Sequence, residues 1–144
     1  MSTLEDALTT QLQNLTQLQL LLESELHLIS SRDAEGLLSL LEQKQANLDI
    51  VQSQDDLIKT LYESADESVR SDKNERINEL FEQAKELGEQ CKFRTSINQK
   101  AVEQGQLKLE HLRHLLLETR SKESMTYDKS GKPKGGTLGK GISA

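Results

Sequence analysis

Apolar residues return every three or four positions along most of the chain, and the pattern breaks twice. In the first stretch Leu12, Leu15, Leu22, Leu26 and Ile29 keep this spacing, with Gln19 the one polar residue on the seam. That recurrence describes one face of an α-helix. Leu18, Leu20, Leu21 and Leu28 widen the apolar face, so this helix is expected to meet two neighbours rather than one. Glu23 and Glu25 fall off the seam and read as solvated charges. Ser2 and Glu5 have the spacing of a capping box, which makes Ser2 the expected N-cap of a helix over about residues 3–30.

The run Ser30-Ser31-Arg32-Asp33 is the first break, because serine and aspartate compete for backbone hydrogen bonds. Asp33 is the expected N-cap of a second helix, with Glu35 in its first turn, where negative charge is favoured. So short a connection makes the two helices antiparallel neighbours. The second helix, over about residues 34–63, carries Leu37, Leu41, Leu48, Val51, Ile58 and Tyr62 on a heptad seam. Lys44 and Asp55 fall on the same seam. The simpler expectation is that the seam rotates, with Ile50, Leu57 and Leu61 taking over. The alternative is that Lys44 sets register or contacts a partner.

Between Ser64 and Asn74 the apolar pattern lapses, and Asp72 with Glu75 again has the spacing of an N-cap. A last helical stretch follows over about residues 73–120, without a proline. Ile77, Leu80, Ala84, Leu87 and Cys91 form its stripe, which thins at Arg94, Asn98 and Gly105. A new stripe comes at Val102, Leu109, Leu112 and Leu116, with Leu115 and Leu117 beside it. As one continuous helix this stretch would be about 70 Å long, against about 45 Å for each of the other two. Its leucine-rich end would then have no partner within the chain. The predicted fold is all-α, an antiparallel helical hairpin plus a longer third helix in a coiled-coil-like bundle over residues 1–120, organised around that third helix.

The composition changes after residue 120. Residues 121–144 hold five of the eight glycines, the only proline, and five lysines against Glu123 and Asp128. Such a segment buries no core and is expected to be a disordered, flexible, basic Gly/Lys tail. Elsewhere the low aromatic content, 3%, suits a slender bundle that buries a stripe per helix. The net charge of −6 argues against nucleic acid as a partner, since phosphates need a basic surface. No apolar run is long enough for an integral membrane segment. The acidic start, Met1 to Asp6, is unlike a secretory signal. The single cysteine, Cys91, forms no internal disulfide and sits on the apolar stripe as a small core residue. A reducing, cytoplasmic location is expected.

No catalytic constellation stands out, and no glycine-rich phosphate loop precedes a helix, so neither an enzyme nor a cofactor is expected. His111 and His114 share a helical face, but a metal needs a further ligand, and none repeats the pattern. A phosphorelay histidine is disfavoured by the lack of a glycine after His111-Leu112-Arg113-His114-Leu115. They read as two exposed histidines beside a leucine stripe. Thr126-Tyr127-Asp128-Lys129-Ser130-Gly131 reads as an aromatic anchor on a flexible arm that orders on binding.

Nearly the whole chain resembles the FlgN-type flagellar export chaperones, which serve the hook–filament junction proteins in type III export. The resemblance runs through Glu23-Ser24-Glu25-Leu26, Arg32-Asp33-Ala34 and Leu37, Lys44 with Leu48, Ile97-Asn98, and Tyr127-Asp128 with Gly131. The family often has glycine after the asparagine of the long helix, where this chain has Gln99. The resemblance implies a chaperone that binds the carboxy-terminal amphipathic segments of junction proteins, keeps them unassembled and delivers them to the export gate. It also implies that Tyr127 docks on the cytoplasmic domain of that gate. A bare leucine stripe suits capture of an amphipathic helix. The expected substrate contacts are Ile97, Val102, Leu109, Leu112 and Leu116. The alternative is a homo-oligomeric coiled-coil structural or adaptor protein, in which the leucine-rich end pairs with its own copy.

Overall fold

The computed structural model describes residues 3–67 and 74–105. Among them are helices α1 (Leu4–Ser30), α2 (Ala34–Ser64) and α3 (Glu75–Glu103), and no strand. The hairpin and the bundle are as the periodicity predicts. The helix starts differ in detail. Thr3, not Ser2, caps α1, its side-chain oxygen accepting from the Asp6 amide at 3.1 Å. Asp33 caps α2 as expected, accepting from the Gly36 amide at 2.9 Å. Asn74 caps α3 by accepting from the Ile77 amide at 3.1 Å, and the expected cap Asp72 lies outside the described residues.

α1 ends in a Schellman turn. The Asp33 amide donates to Leu28 O, the Arg32 amide to Ile29 O, and Arg32 sits in the left-handed region at φ 59°. Asp33 thus closes α1 with its backbone while its side chain opens α2. This double use makes the three-residue reversal Ser31–Asp33 sufficient.

α1 is the hub. Both other helices pack along it, as its broad apolar face predicts. α2 runs antiparallel to it: Gln54 donates to Ala7 O at 2.8 Å and Gln11 to Val51 O at 3.0 Å. α3 runs parallel to it, from an Arg76–Glu5 ion pair near its start to an Asn98–Leu22 O bond near its end. α2 and α3 meet through side chains, with Tyr62 and Phe81 edge to face at 5.7 Å.

The structure overturns one expectation about α3 and answers a question the sequence leaves open at Gly105. The long helix is not the element on which the others are laid; α1 is. Nor does it run unbroken to Arg120. It closes at Glu103, where Gln104 caps it, and Gly105 takes φ 81° with its amide on Val102 O at 3.0 Å. Glycine reaches the left-handed region without the Cβ penalty and stops the helix there. The described helices are therefore of similar length, 27, 31 and 29 residues.

Candidate functional site

Three apolar layers fill the bundle. The first, near the starts of α1 and α3, includes Leu8, Ile58, Leu80 and Phe81. A middle layer holds Leu18, Leu22, Leu48 and Cys91. The third, at the hairpin end, holds Leu21, Ile29, Leu37, Leu40 and Leu41 together with Ala101 and Val102. The Cys91 thiol lies 3.6 Å from Leu15 O in the core, as a small apolar residue should.

At the hairpin end a polar cluster joins one residue from each helix. Glu25 of α1 is 1% exposed and Lys44 of α2 is 2% exposed. Lys44 Nζ donates to Glu25 Oε2 at 2.7 Å. Asn98 of α3 donates through Nδ2 to Glu25 Oε1 at 2.7 Å and to Leu22 O at 2.9 Å. Both carboxylate oxygens are occupied. This corrects two expectations. Glu25 is not a solvated charge, and the α2 seam does not rotate away from Lys44. Ile50 and Leu57, which rotation would bury, are 53% and 39% exposed, and only Leu61 packs partly against the core. Asp55, the other polar residue on that seam, is buried too. Removing an ammonium from water costs several kcal/mol, recovered only when geometry and hydrogen bonds are good. The cluster meets both conditions, and it fixes the relative heights of three helices at once, as a buried polar residue does in a coiled coil. Glu25, Lys44 and Asn98 all belong to the segments that carry the family resemblance.

The expected substrate contacts divide into three cases. Val102 is buried within the chain's own third core layer, so it offers no open face to a partner. Ile97 is half-buried on α3. Leu109, Leu112, Leu116 and Tyr127, the expected gate contact, lie outside the described residues, as do His111 and His114. What periodicity did not single out is Phe93, exposed on α3 one helical turn before Ile97. It falls off the apolar stripe, so seam-reading passed over it.

No group of metal-ligating side chains is found among the described residues, and no described helix is long and apolar enough to cross a membrane. The protein-family model described as FlgN protein matches residues 1–135. No curated protein and no solved structure matches the chain. With the match spanning nearly all of the sequence and the three-helix fold beneath it, the chain belongs to the FlgN family of flagellar export chaperones.

Proposed function

We propose that this chaperone acts in the cytoplasm on hook–filament junction proteins. It holds their carboxy-terminal amphipathic segments, keeps them unassembled and hands them to the flagellar type III export gate. The family match over residues 1–135 carries this reading. The leucine stripe of Leu109, Leu112 and Leu116, with Ile97 before it, supplies apolar side chains at helical spacing for a helical segment to cover. Each buried leucine-class side chain is worth about 1.5–3 kcal/mol before ordering costs. A few of them suffice for a grip that must later release. Val102 is left out of the contact set because the core already occupies it. Tyr127, in a lysine- and glycine-rich stretch, is the contact for the export gate.

Replacing Leu109, Leu112 and Leu116 by aspartate should weaken binding of a junction protein's carboxy-terminal segment at least tenfold in calorimetry, with helical content retained. Unchanged affinity rejects the stripe as the substrate site. Tyr127→Ala should leave that affinity alone and lower export of the junction proteins. If it abolishes substrate binding instead, the tyrosine has been given the wrong role.

A further inference from the structure

Phe93 is the most exposed large apolar side chain among the described residues, at 67%. An aromatic held in water on a rigid helix is a ready anchor for a partner. Ile97 follows it at i+4 on the same face, half-buried, and extends the apolar surface. Two cross-links tie this part of α3 to α1: Gln19 Nε2 to Gln90 Oε1 at 2.9 Å, and Arg94 to Glu23 at 2.9 Å. They place exposed Leu20 of α1 at the same height along the bundle.

The charges along α3 are sorted about this point. From Glu75 to Glu89 there are five glutamates against Arg76 and Lys85. From Gln90 to Val102 there are three cations, Lys92, Arg94 and Lys100, and no acid. Seven-residue steps return to nearly the same side of a helix. One stripe of α3 therefore reads Glu86, Phe93, Lys100: acid, aromatic, base. All three side chains are exposed.

We propose that this stripe is a docking surface for an amphipathic helix of an export substrate, seated antiparallel to α3. The apolar face of that helix covers Phe93 and Ile97, its acidic amino-terminal half lies over Lys100, and its basic carboxy-terminal half lies over Glu86. The orientation follows from two sign rules. Opposite charges must face each other across the contact, and helices favour acids near their amino end and bases near their carboxy end. The inference rests on the chaperone reading and adds to it where on the bundle the substrate lies and which charges it carries.

The test is fluorescence anisotropy of the full chain with two labelled synthetic peptides. Both carry one leucine stripe at helical spacing; one has glutamates in its first half and lysines in its second, and the other has lysines throughout. The mixed peptide should bind at least tenfold more tightly. Phe93→Ala should weaken it at least tenfold and Lys100→Glu at least fivefold, with circular dichroism unchanged. Equal binding of the two peptides, or binding indifferent to Phe93→Ala, overturns the proposal. So does a wild-type oligomer in sedimentation that Phe93→Ala disperses, because a second copy then occupies the stripe. The same titration with junction-protein carboxy-terminal segments separates the two readings. Tight binding that Phe93→Ala does not alter removes this site and leaves the chaperone reading standing. A chain that binds none of these segments removes both.

Discussion

Lys44 has its ammonium shut among three helices, and its position there depends on two side chains from elsewhere in the chain. Glu25 neutralises it at 2.7 Å, and Asn98 holds the far oxygen of Glu25 at 2.7 Å. Removing one charge strands the other, which costs about 3–5 kcal/mol. Lys44→Met or Glu25→Leu alone should lower unfolding stability in urea by roughly that amount. The double substitution should recover most of it, because a shape-matched apolar pair often equals or betters a buried ion pair. A double variant no more stable than the singles would mean that the pair is not coupled. The position of this cluster was partly readable beforehand. Lys44 stood on the α2 seam, and Glu25 keeps helical spacing between Leu22 and Ile29. The expected seam ran through Leu26 instead of Glu25, yet Glu25 is the buried residue and Leu26 only half-buried. The reason is that a glutamate is assumed to face water unless its partner is known. That partner lies 19 residues away across a turn, and its distance depends on packing register rather than on local spacing.

Helix ends show the same division between what is local and what is not. Asp33 was identifiable because it follows a break and precedes an apolar run, and both facts are local. The starts of α1 and α3 were misplaced by one and two residues, since Ser2 and Thr3, or Asp72 and Asn74, offer equivalent oxygens and only backbone geometry chooses between them. Gly105 was visible as a thinning of the pattern, yet a glycine within a periodic stretch is also tolerated in a helix. Its left-handed φ shows that it stops α3. Gly88 within α3 and Gly105 just beyond its end should therefore respond in opposite ways. A methyl added at Gly88 meets no heavy atom within 4 Å, so Gly88→Ala should stabilise the helix by about 1 kcal/mol. Gly105→Ala should cost about 1–2 kcal/mol, because it forces a Cβ into the left-handed region. Thermal melts of the two variants check both signs. A stabilising Gly105→Ala would mean that the helix continues through that residue in solution.

At the scale of the molecule, both outer helices depend on α1. Leu22 is fully buried in the layer shared with Leu48 of α2 and Cys91 of α3. Leu22→Ala should cost about 2–5 kcal/mol. It should lower the unfolding midpoint of α2 and α3 together, as seen by far-ultraviolet circular dichroism and by exposure of the Cys91 thiol to a labelling reagent. If Cys91 becomes reactive well before helix is lost, α3 detaches on its own and α1 is not a common support. The fold class, the hairpin and the double contact of the first helix were all in the spacing of leucines. The break in the third helix was not, because a periodic sequence says where a helix is possible and a single left-handed residue decides where it is interrupted. Of the candidate contacts, Ile97 keeps some exposure, while Val102 is buried by α1 and α2 residues that lie far from it in sequence.

Because α1 and α3 point the same way, Gly105 lies at the end of the bundle that carries the Ser31–Asp33 reversal, and Thr3 lies at the other end. A helix of this length separates those ends by about 40 Å. Gly105 is therefore the point at which the chain leaves the described bundle, at its reversal end. An affinity tag or surface anchor fused ahead of Met1 should start from the end opposite Gly105, whereas the same fusion placed after Ala144 adds bulk directly to the carboxy-terminal segment.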